Sequence, residues 1–296
     1  MIKRTLFFEN PAYLSTQNDQ LVIKIVASNT KRTIPIEDIG MIILENQQIT
    51  ITNGLIEKLT YQNAAIVSCN QQHLPLSLVS PLSGHSEYNE RLRFQLEASI
   101  PLQKNLWQQT IVSKITNQAN LLGRLNKQND KLRKWSKQVL SGDDSNKEAN
   151  AAAFYWGHIF DLPDFYRGQK GIPPNNLLNY GYAILRATCA RSLIGSGMLP
   201  ALGIHHANKY NSYCLADDIM EPYRPFVDEV VVALVDQSEN INELTRAIKQ
   251  QLLVIPAIDV TIEGKKSPLL VAMSRTTHSL FECYAGISRK ILYPTL

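Results

Sequence analysis

The sequence has little cysteine and none of the motifs built from it. Its four cysteines are widely separated, and no two form a CxxC pair: Cys69, Cys189, Cys214 and Cys283. Structural zinc sites and redox motifs need closely spaced thiols, and disulfide-rich domains need a dense cysteine framework. We therefore expect reduced, mostly structural thiols, and neither structural zinc nor a disulfide framework.

Long hydrophobic runs are also missing. No apolar run reaches the roughly 18 residues that would indicate a membrane-spanning helix. The N-terminal sequence MIKRTLFFENPAYL lacks the continuous apolar block and the cleavage site of a signal peptide. These absences predict a cytoplasmic protein with no membrane partner.

Several catalytic signatures are absent as well. The sequence contains no GxSxG motif, and neither Cys189 nor Cys214 lies in an evident activating motif. It also contains no Walker motif and no GxGxxG phosphate loop. Catalysis by a serine or cysteine nucleophile, or by a nucleotide-binding loop, is therefore poorly supported.

Positive charge is present in modest excess, and it is concentrated in one stretch. The net charge is +4, but residues 88–140 contain ten Lys or Arg against three Asp or Glu, which gives +7 there and −3 elsewhere. A basic helical stretch of this kind can form a phosphate-binding face. A merely solvated helix explains the same composition equally well.

Short strands are predicted for the first part of the chain, where Val, Ile and Thr are frequent. They cover 4–8, 20–27, 31–36, 39–44, 64–69 and 71–79, with turns at 18–19 and 28–29 and one helix at 53–62. Pro75 restricts the last strand to a sheet edge. We predict a β-sandwich over residues 1–82, whose edge suits dimerisation, followed by a linker at 83–90.

Helical periodicity dominates residues 91–296, so the chain is predicted to have an α+β fold with a mostly α-helical catalytic domain. The helices are expected at 88–99, 102–122, 127–140, 147–160, 176–196, 218–235, 242–253 and 267–284. Ser145 and Glu148 have the spacing of a capping box, in which Glu148 would serve only to cap its helix. The loop at 161–175 offers Arg167 and Lys170 to an anion.

The stretch GIHHANKYNSYCLADDIMEPYRP, residues 203–225, concentrates polar side chains that could bind a cation. His205 and His206 precede Asp218 and Glu221, and the two acids share one helix face at (i, i+3) spacing. Asp217 is predicted to be the N-cap. Without further context, packed or solvated histidines and capping acids explain the same residues.

Candidate metal ligands thus stand on three predicted helical elements: Glu148, the histidine pair, and the pair Asp218 and Glu221. Carboxylates combined with one imidazole suit Mg²⁺ or Mn²⁺ acting on a phosphate. The neighbouring basic helix favours a nucleic-acid phosphodiester over a small phosphate ester.

Three segments resemble one family, the CRISPR adaptation integrase, a universal CRISPR-associated nuclease that inserts spacers, in its type II form. They are EANAAAFYW at 148–156, NNLLNYGYAILRA at 175–187 and LGIHHANKYNSYCLADDIMEPYRPFVD at 202–228. The resemblance implies that Glu148, His206 and Glu221 are the catalytic metal ligands. It implies that Asp218 is an additional acidic residue near the site, and that His205 is a neighbour of His206 or its substitute.

The resemblance also implies partners. It predicts a homodimer formed through the β-sandwich, two dimers bridged by a small ferredoxin-like adaptation partner, and bound double-stranded DNA. The large RNA-guided effector nuclease is expected to take part in choosing fragments. A 3′-hydroxyl of the DNA fragment would attack a phosphodiester of the repeat array, and water in its place would give cleavage. Four basic side chains are candidate phosphate contacts: Arg167, Lys170, Arg186 and Arg224.

Two other functions remain open from the sequence. A metal-dependent nuclease acting on branched DNA in repair would use the same residues. A catalytically silent DNA-binding scaffold would need Glu148 only as a cap and the histidines only for packing.

Overall fold

The computed structural model describes residues 3–25, 30–71, 75–82, 85–168, 170–237 and 240–296. The chain divides into two compact units, Met1–Ser86 and Glu87–Leu296. The division falls within the stretch predicted as the linker, 83–90. Each unit is built around its own secondary structure.

The first unit contains two four-stranded sheets. One consists of β1 (Arg4–Phe8), β5 (Ile39–Leu44), β7 (Ala65–Cys69) and β8 (Pro75–Val79), in the order β1-β5-β7-β8. The other consists of β2 (Ala12–Gln17), β3 (Gln20–Ile25), β4 (Thr30–Pro35) and β6 (Thr50–Ile51), in the order β4-β3-β2-β6. β8 lies at a sheet edge, as Pro75 predicted.

The predicted turn at 18–19 joins β2 to β3. Asn18 and Asp19 have φ angles of 50° and 56°, which short polar residues tolerate and which the common two-residue hairpin turn requires. β2 was not predicted from the sequence; in the structure its first residues alternate between buried and exposed. The predicted end of the 20–27 strand, the turn at 28–29 and part of the 71–79 strand lie outside the described residues.

A shared apolar core joins the two sheets of this unit to the helix α1 (Asn53–Tyr61). Leu14 and Leu21 enter it from one sheet and Ile42 from the other, and all three are fully buried. Leu55 and Leu59, one turn apart on α1, are also fully buried. The β-sandwich and the α+β class are therefore confirmed.

The second unit is mostly helical. Its helices are α2 (Tyr88–Leu96), α3 (Ile100–Arg124), α4 (Asp130–Ser136), α5 (Lys147–Trp156), α6 (Asn175–Gly195), α7 (Cys214–Met220), α8 (Arg224–Gln237), α9 (Arg246–Leu252) and α10 (Leu269–Tyr284). A 3₁₀ turn, Glu221–Tyr223, links α7 to α8. Among the described helices, none has the length and apolar character to cross a membrane.

A small hairpin in this unit was not predicted. β9 (Asp259–Ile262) and β10 (Lys265–Pro268) pair antiparallel around Glu263 and Gly264, which have φ angles of 49° and 73°. The predicted helix at 267–284 therefore begins two residues late, because Ser267 and Pro268 complete the strand.

The long helix α3 positions several other segments of this unit. Its buried face carries polar side chains as well as apolar ones, among them Lys114 and Asn117. The Asn117 amide Nδ2 donates to the Pro222 carbonyl at 2.8 Å and to the Pro294 carbonyl at 3.0 Å. α3 is thereby fixed against the 3₁₀ turn that contains Glu221.

Candidate active site

Glu148 lies in the first turn of α5, but it does not cap that helix. The two oxygens of Asp143 accept hydrogen bonds from the backbone amides of Lys147 and Glu148, both at 2.9 Å. The hydroxyl of Ser145 is buried without a hydrogen bond. The predicted capping box is therefore wrong. Asp143, two residues before Ser145, accepts hydrogen bonds from the free amides at the start of α5. The Glu148 side chain is left available for the site.

Lys114 of α3 joins the two acidic candidates. Its ammonium Nζ donates to Glu148 Oε1 at 2.6 Å and lies 2.6 Å from Glu221 Oε2. Burial lowers the pKa of Lys114, but the charges of Glu221 and Glu148 outweigh it and leave the pKa raised. The lysine is therefore charged, and the two carboxylates share its ammonium group.

Glu221 opens the 3₁₀ turn and is almost completely buried. Arg224 Nε donates to Glu221 Oε1 at 2.9 Å. Burial raises the pKa of Glu221, but the positive charges of Arg224 and Lys114 lower it to about 2. The carboxylate is thus ionised at neutral pH despite its burial.

Asp218 organises the histidine segment. It is fully buried, and its carboxylate accepts from the backbone amides of Ile204 at 2.7 Å, His205 at 3.0 Å and His206 at 3.3 Å. His206 Nδ1 lies 2.5 Å from Asp218 Oδ1, and this hydrogen bond raises the pKa of His206. A β-carbon at Gly203 would lie 2.3 Å from the His206 carbonyl oxygen and 2.8 Å from Asp218 Oδ2, so glycine is required there.

The hydrogen bond to Asp218 fixes the chemistry of His206. A carboxylate oxygen accepts, so Nδ1 donates its proton in the hydrogen bond to Asp218, and Nε2 keeps a lone pair when the ring is neutral. Carboxylate–histidine pairs of this kind orient imidazoles that bind metal. His206 can therefore present Nε2 as a ligand.

Trp107, on α3, distinguishes the two neighbouring histidines. The His205 ring stacks on the buried Trp107 indole, with centroids 4.1 Å apart and planes 3° apart. The His206 ring meets the same indole edge-on at 5.7 Å. The structure thus places His205 in a packing contact and His206 in the polar network.

Asp217 does not occupy the predicted N-cap position. α7 begins at Cys214, with Tyr213 as its N-cap, so Asp217 lies inside the first turn. Its carboxylate accepts from Arg186 Nε at 2.6 Å and Nη2 at 3.0 Å, and from Asn211 Nδ2 at 2.7 Å. The helix starts early because the segment before Asp217 is apolar and fully buried.

A buried acid supports the helix that carries Glu148. Tyr155, seven residues after Glu148 and on the same face of α5, donates to Asp228 Oδ2 at 2.7 Å. Tyr182 of α6 donates to Asp228 Oδ1. Burial raises the pKa of Asp228 to about 6. Asp228 thereby connects α5, α6 and α8.

Asp228→Asn is expected to change how stability depends on pH. A carboxyl group whose pKa is raised on folding binds protons more tightly in the folded chain, so its contribution to stability is lost as pH rises from about 4 to 6. A rise of the Asp228 pKa from 3.8 to about 6 corresponds to about 3 kcal/mol in the free energy of unfolding. Urea unfolding of both proteins at pH 4.5 and 7.5 should show that the variant gains stability relative to wild type at the higher pH. If the difference in stability between the two proteins is the same at both pH values, the raised pKa assigned to Asp228 is wrong.

The donor set at this site fits a hard divalent cation. As they stand, no three carboxylate, thiol or imidazole groups in the described part of the chain could hold a metal ion together. However, Glu221 Oε2 is buried and makes no hydrogen bond, even though the Lys114 ammonium lies beside it. Carboxylate oxygens with one imidazole are ligands suited to Mg²⁺ or Mn²⁺. Glu148, Glu221 and His206 could supply them.

The four predicted phosphate contacts have different environments. Arg224 is partly buried against Glu221 and the Tyr182 ring, whose centroid lies 4.5 Å from the guanidinium carbon. Arg186 pairs with Asp217. Arg167 donates to side-chain oxygens of Asn175 and Asn179. These three arginines are used within the fold, whereas Lys170 is exposed.

Lys114 and Trp107 were missed by the sequence analysis. In the sequence, Lys114 is one of ten basic residues at 88–140, and neither residue belongs to the predicted site. Both lie on the buried face of α3, seven residues apart. A lysine inside an otherwise buried helical stripe was the available signal, because a buried ammonium requires anionic partners.

The fold and the site define a class: two-domain α+β proteins with a carboxylate–imidazole cluster in the helical domain. The family model described as "CRISPR associated protein Cas1" matches residues 6–250 of the chain. The protein belongs to the Cas1 family. The predicted resemblance to this family is thereby confirmed.

One relative agrees with this assignment, and two solved structures share the fold. The chain is 37% identical over 294 residues to "CRISPR-associated endonuclease Cas1" from Neisseria meningitidis, covering 98% of this chain and 94% of the relative. A casposase bound to integration product has a similar fold, with a TM-score of 0.75 and 19% identity over 98% of this chain and 92% of the other. A chain of a Cas6-RT-Cas1–Cas2 complex matches with a TM-score of 0.72 and 18% identity, over 99% of this chain and 36% of the other.

Proposed function

We propose that this protein is a metal-dependent DNA integrase of CRISPR adaptation, with DNA endonuclease activity. It joins the 3′-hydroxyl ends of short duplex DNA to the repeat array by transesterification. One observation carries the proposal: Glu148 and Glu221 share the Lys114 ammonium, and their charges act on His206, whose Nδ1 is fixed by a buried carboxylate. The relative that is 37% identical carries the name of an endonuclease.

Glu148, Glu221 and His206 Nε2 would hold the divalent cation, Mg²⁺ or Mn²⁺. When bound, such an ion polarises a phosphoryl oxygen and lowers the pKa of a hydroxyl nucleophile. The residues of the chain supply the rest. Asp218 holds the imidazole in one tautomer, and Arg224 with Lys114 keeps Glu221 ionised despite its burial.

Unpaired positive charge supports DNA as the substrate. Four basic side chains on and just after α4 are exposed and make no ion pair with any carboxylate in the described residues: Lys131, Arg133, Lys134 and Lys137. Lysines and arginines that are free of carboxylates can neutralise phosphates, which is the main source of affinity for duplex DNA. These residues are four of the ten Lys or Arg side chains at 88–140.

The proposed assembly follows the family resemblance. It contains a homodimer formed through the β-sandwich, and a small ferredoxin-like partner that bridges two dimers. A complex containing Cas1 and Cas2 is among the structures of similar fold, which supports a partner of this kind. We also propose the type II form, participation of the large RNA-guided effector, and a cytoplasmic location, where the DNA substrate would be met.

The two histidines provide a matched test of this function. We expect His206→Ala to abolish joining of a duplex with free 3′-hydroxyls to a supercoiled plasmid carrying a leader and repeat, in Mg²⁺ or Mn²⁺ with the small partner present. His205→Ala removes the stacking contact with Trp107 and an edge-on contact with the His206 ring, but no hydrogen bond of the Asp218–His206 pair, so it should retain most of the joining activity. Product mapping on both variants and the wild type measures the difference.

The products also separate this function from its alternatives. If wild type gives nicks and no joined products, the reaction is that of a nuclease, and branched substrates should then be cleaved faster than linear duplex. If wild type binds the DNA but neither joins nor cleaves it, the scaffold function replaces the enzyme. If His206→Ala joins DNA as well as wild type, the assignment of His206 is wrong.

A further inference from the structure

Lys114 occupies the position between the two carboxylates that the proposed function assigns to a divalent cation. Its ammonium nitrogen lies 2.6 Å from both Glu148 Oε1 and Glu221 Oε2, so these two oxygens are at most 5.2 Å apart. The Lys114 side chain is only 11% exposed, compared with 26% for Glu148 and 7% for Glu221. The ammonium is therefore held inside the site and away from solvent.

A metal ion and the ammonium cannot share this position. Mg²⁺ binds oxygen ligands at about 2.0–2.1 Å, so an ion bound to both oxygens would lie at most about 4.7 Å from the ammonium nitrogen. Two positive charges at such a distance repel strongly in a partly buried site. Cation binding by both carboxylates thus requires that the ammonium move away.

The contact between Lys114 and Glu221 is also suited to replacement of the ammonium by a metal ion. Lys114 makes a hydrogen bond with Glu148, but its approach to Glu221 Oε2 lacks hydrogen-bond geometry. Arg224 holds the other oxygen of Glu221 and would keep the carboxylate in place after the ammonium moved. Glu221 can therefore keep its position when Lys114 moves away.

We propose that Lys114 is a resident counter-ion that preorganises Glu148 and Glu221 before metal binds and competes with the divalent cation for them. This inference rests on the proposed metal site. The lysine therefore has two opposite effects: it stabilises the metal-free protein, and it weakens metal binding. A lysine with a purely structural role would instead support both folding and metal binding.

Lys114→Met tests both effects, since methionine has a similar length and no charge. We expect Mn²⁺ titrations followed by electron paramagnetic resonance to show a Kd at least tenfold lower than that of wild type. In EDTA, the thermal unfolding midpoint of the variant should fall below that of wild type. Addition of Mn²⁺ should raise the midpoint of the variant by more than it raises that of wild type. Lys114→Gln provides a second variant that keeps a hydrogen-bond donor for Glu148. It should also bind Mn²⁺ more tightly than wild type and unfold at a lower temperature in EDTA.

Lys104→Met is the matched control. Lys104 lies ten residues earlier on the same helix, half-exposed, and pairs with Asp144 at 3.6 Å, so its replacement should leave Mn²⁺ affinity and the midpoint in EDTA unchanged. Equal or weaker Mn²⁺ binding by folded Lys114→Met and Lys114→Gln would overturn the inference while leaving the metal site intact. If wild type and all variants fail to bind Mn²⁺, both the inference and the proposed metal dependence are overturned.

Discussion

Glu221→Gln is expected to abolish DNA joining and also to destabilise the protein. The carboxylate is buried, ionised and paired with two cations, Lys114 and Arg224. Glutamine keeps the volume but removes the charge, so Arg224 loses its paired carboxylate and Lys114 keeps only Glu148 in a partly buried setting. Breaking a buried ion pair in this way typically costs about 3–5 kcal/mol.

The same substitution removes a proposed metal ligand. Loss of the transition-state stabilisation that a bound metal provides should lower the joining rate by about a thousandfold, equivalent to about 4 kcal/mol. Urea unfolding and single-turnover joining assays measure the two effects. Glu229→Gln is the control, because Glu229 forms an exposed ion pair with Arg124 and should change neither quantity much. Near-normal joining by folded Glu221→Gln would exclude Glu221 as a ligand.

Substitutions of Asp218 are expected to separate folding from chemistry. Asp218→Ala removes the acceptor of three backbone amides and of the His206 ring. Unsatisfied buried donors cost about 1–3 kcal/mol each, so the loss of the acceptor for these four donors should destabilise this variant by about 4 kcal/mol or more. Asp218→Asn can still accept from the amides through its carbonyl oxygen, and we expect it to fold with a smaller loss.

Asparagine at this position should nevertheless impair the reaction. Where its amide NH₂ faces the His206 ring, it donates to Nδ1, and the ring proton moves to Nε2. The lone pair proposed to bind metal is then lost, and changes of this kind typically cost 10- to 100-fold in metal affinity or activity. NMR of the imidazole nitrogens reports the tautomer. Asp217→Asn is the control, because Asp217 contacts Arg186 and Asn211 rather than a histidine. Full activity of Asp218→Asn would contradict the role of Asp218.

The sequence predicted the fold class and most helices because strand and helix periodicities are local properties. It also predicted the ligand candidates Glu148, His206, Asp218 and Glu221, since the order of the motifs is visible in the chain. It could not decide between His205 and His206 from their own surroundings. That difference depends on the Trp107 indole, which lies about a hundred residues earlier in the chain.

Two local predictions failed for a related reason. Ser145 and Asp217 have the right type and spacing for helix caps, but tertiary contacts determined where those helices begin. Asp143 reaches the amides of α5 first, and burial of the apolar residues before Asp217 extends α7 backwards. The role of Lys114 was hidden because a lysine is normally exposed, and only packing of α3 against the 3₁₀ turn places it between two acids.

The contribution of α3 to the site has a consequence for folding. Trp107 and Lys114 of α3 contact groups that lie 34 to 107 residues further along the chain: Glu148, His205, His206 and Glu221. Contacts between distant residues form late, after the intervening loops have closed. A nascent or partly folded chain therefore contains the individual side chains but no assembled site. The reactive chemistry proposed for this protein would be confined to the completely folded helical unit.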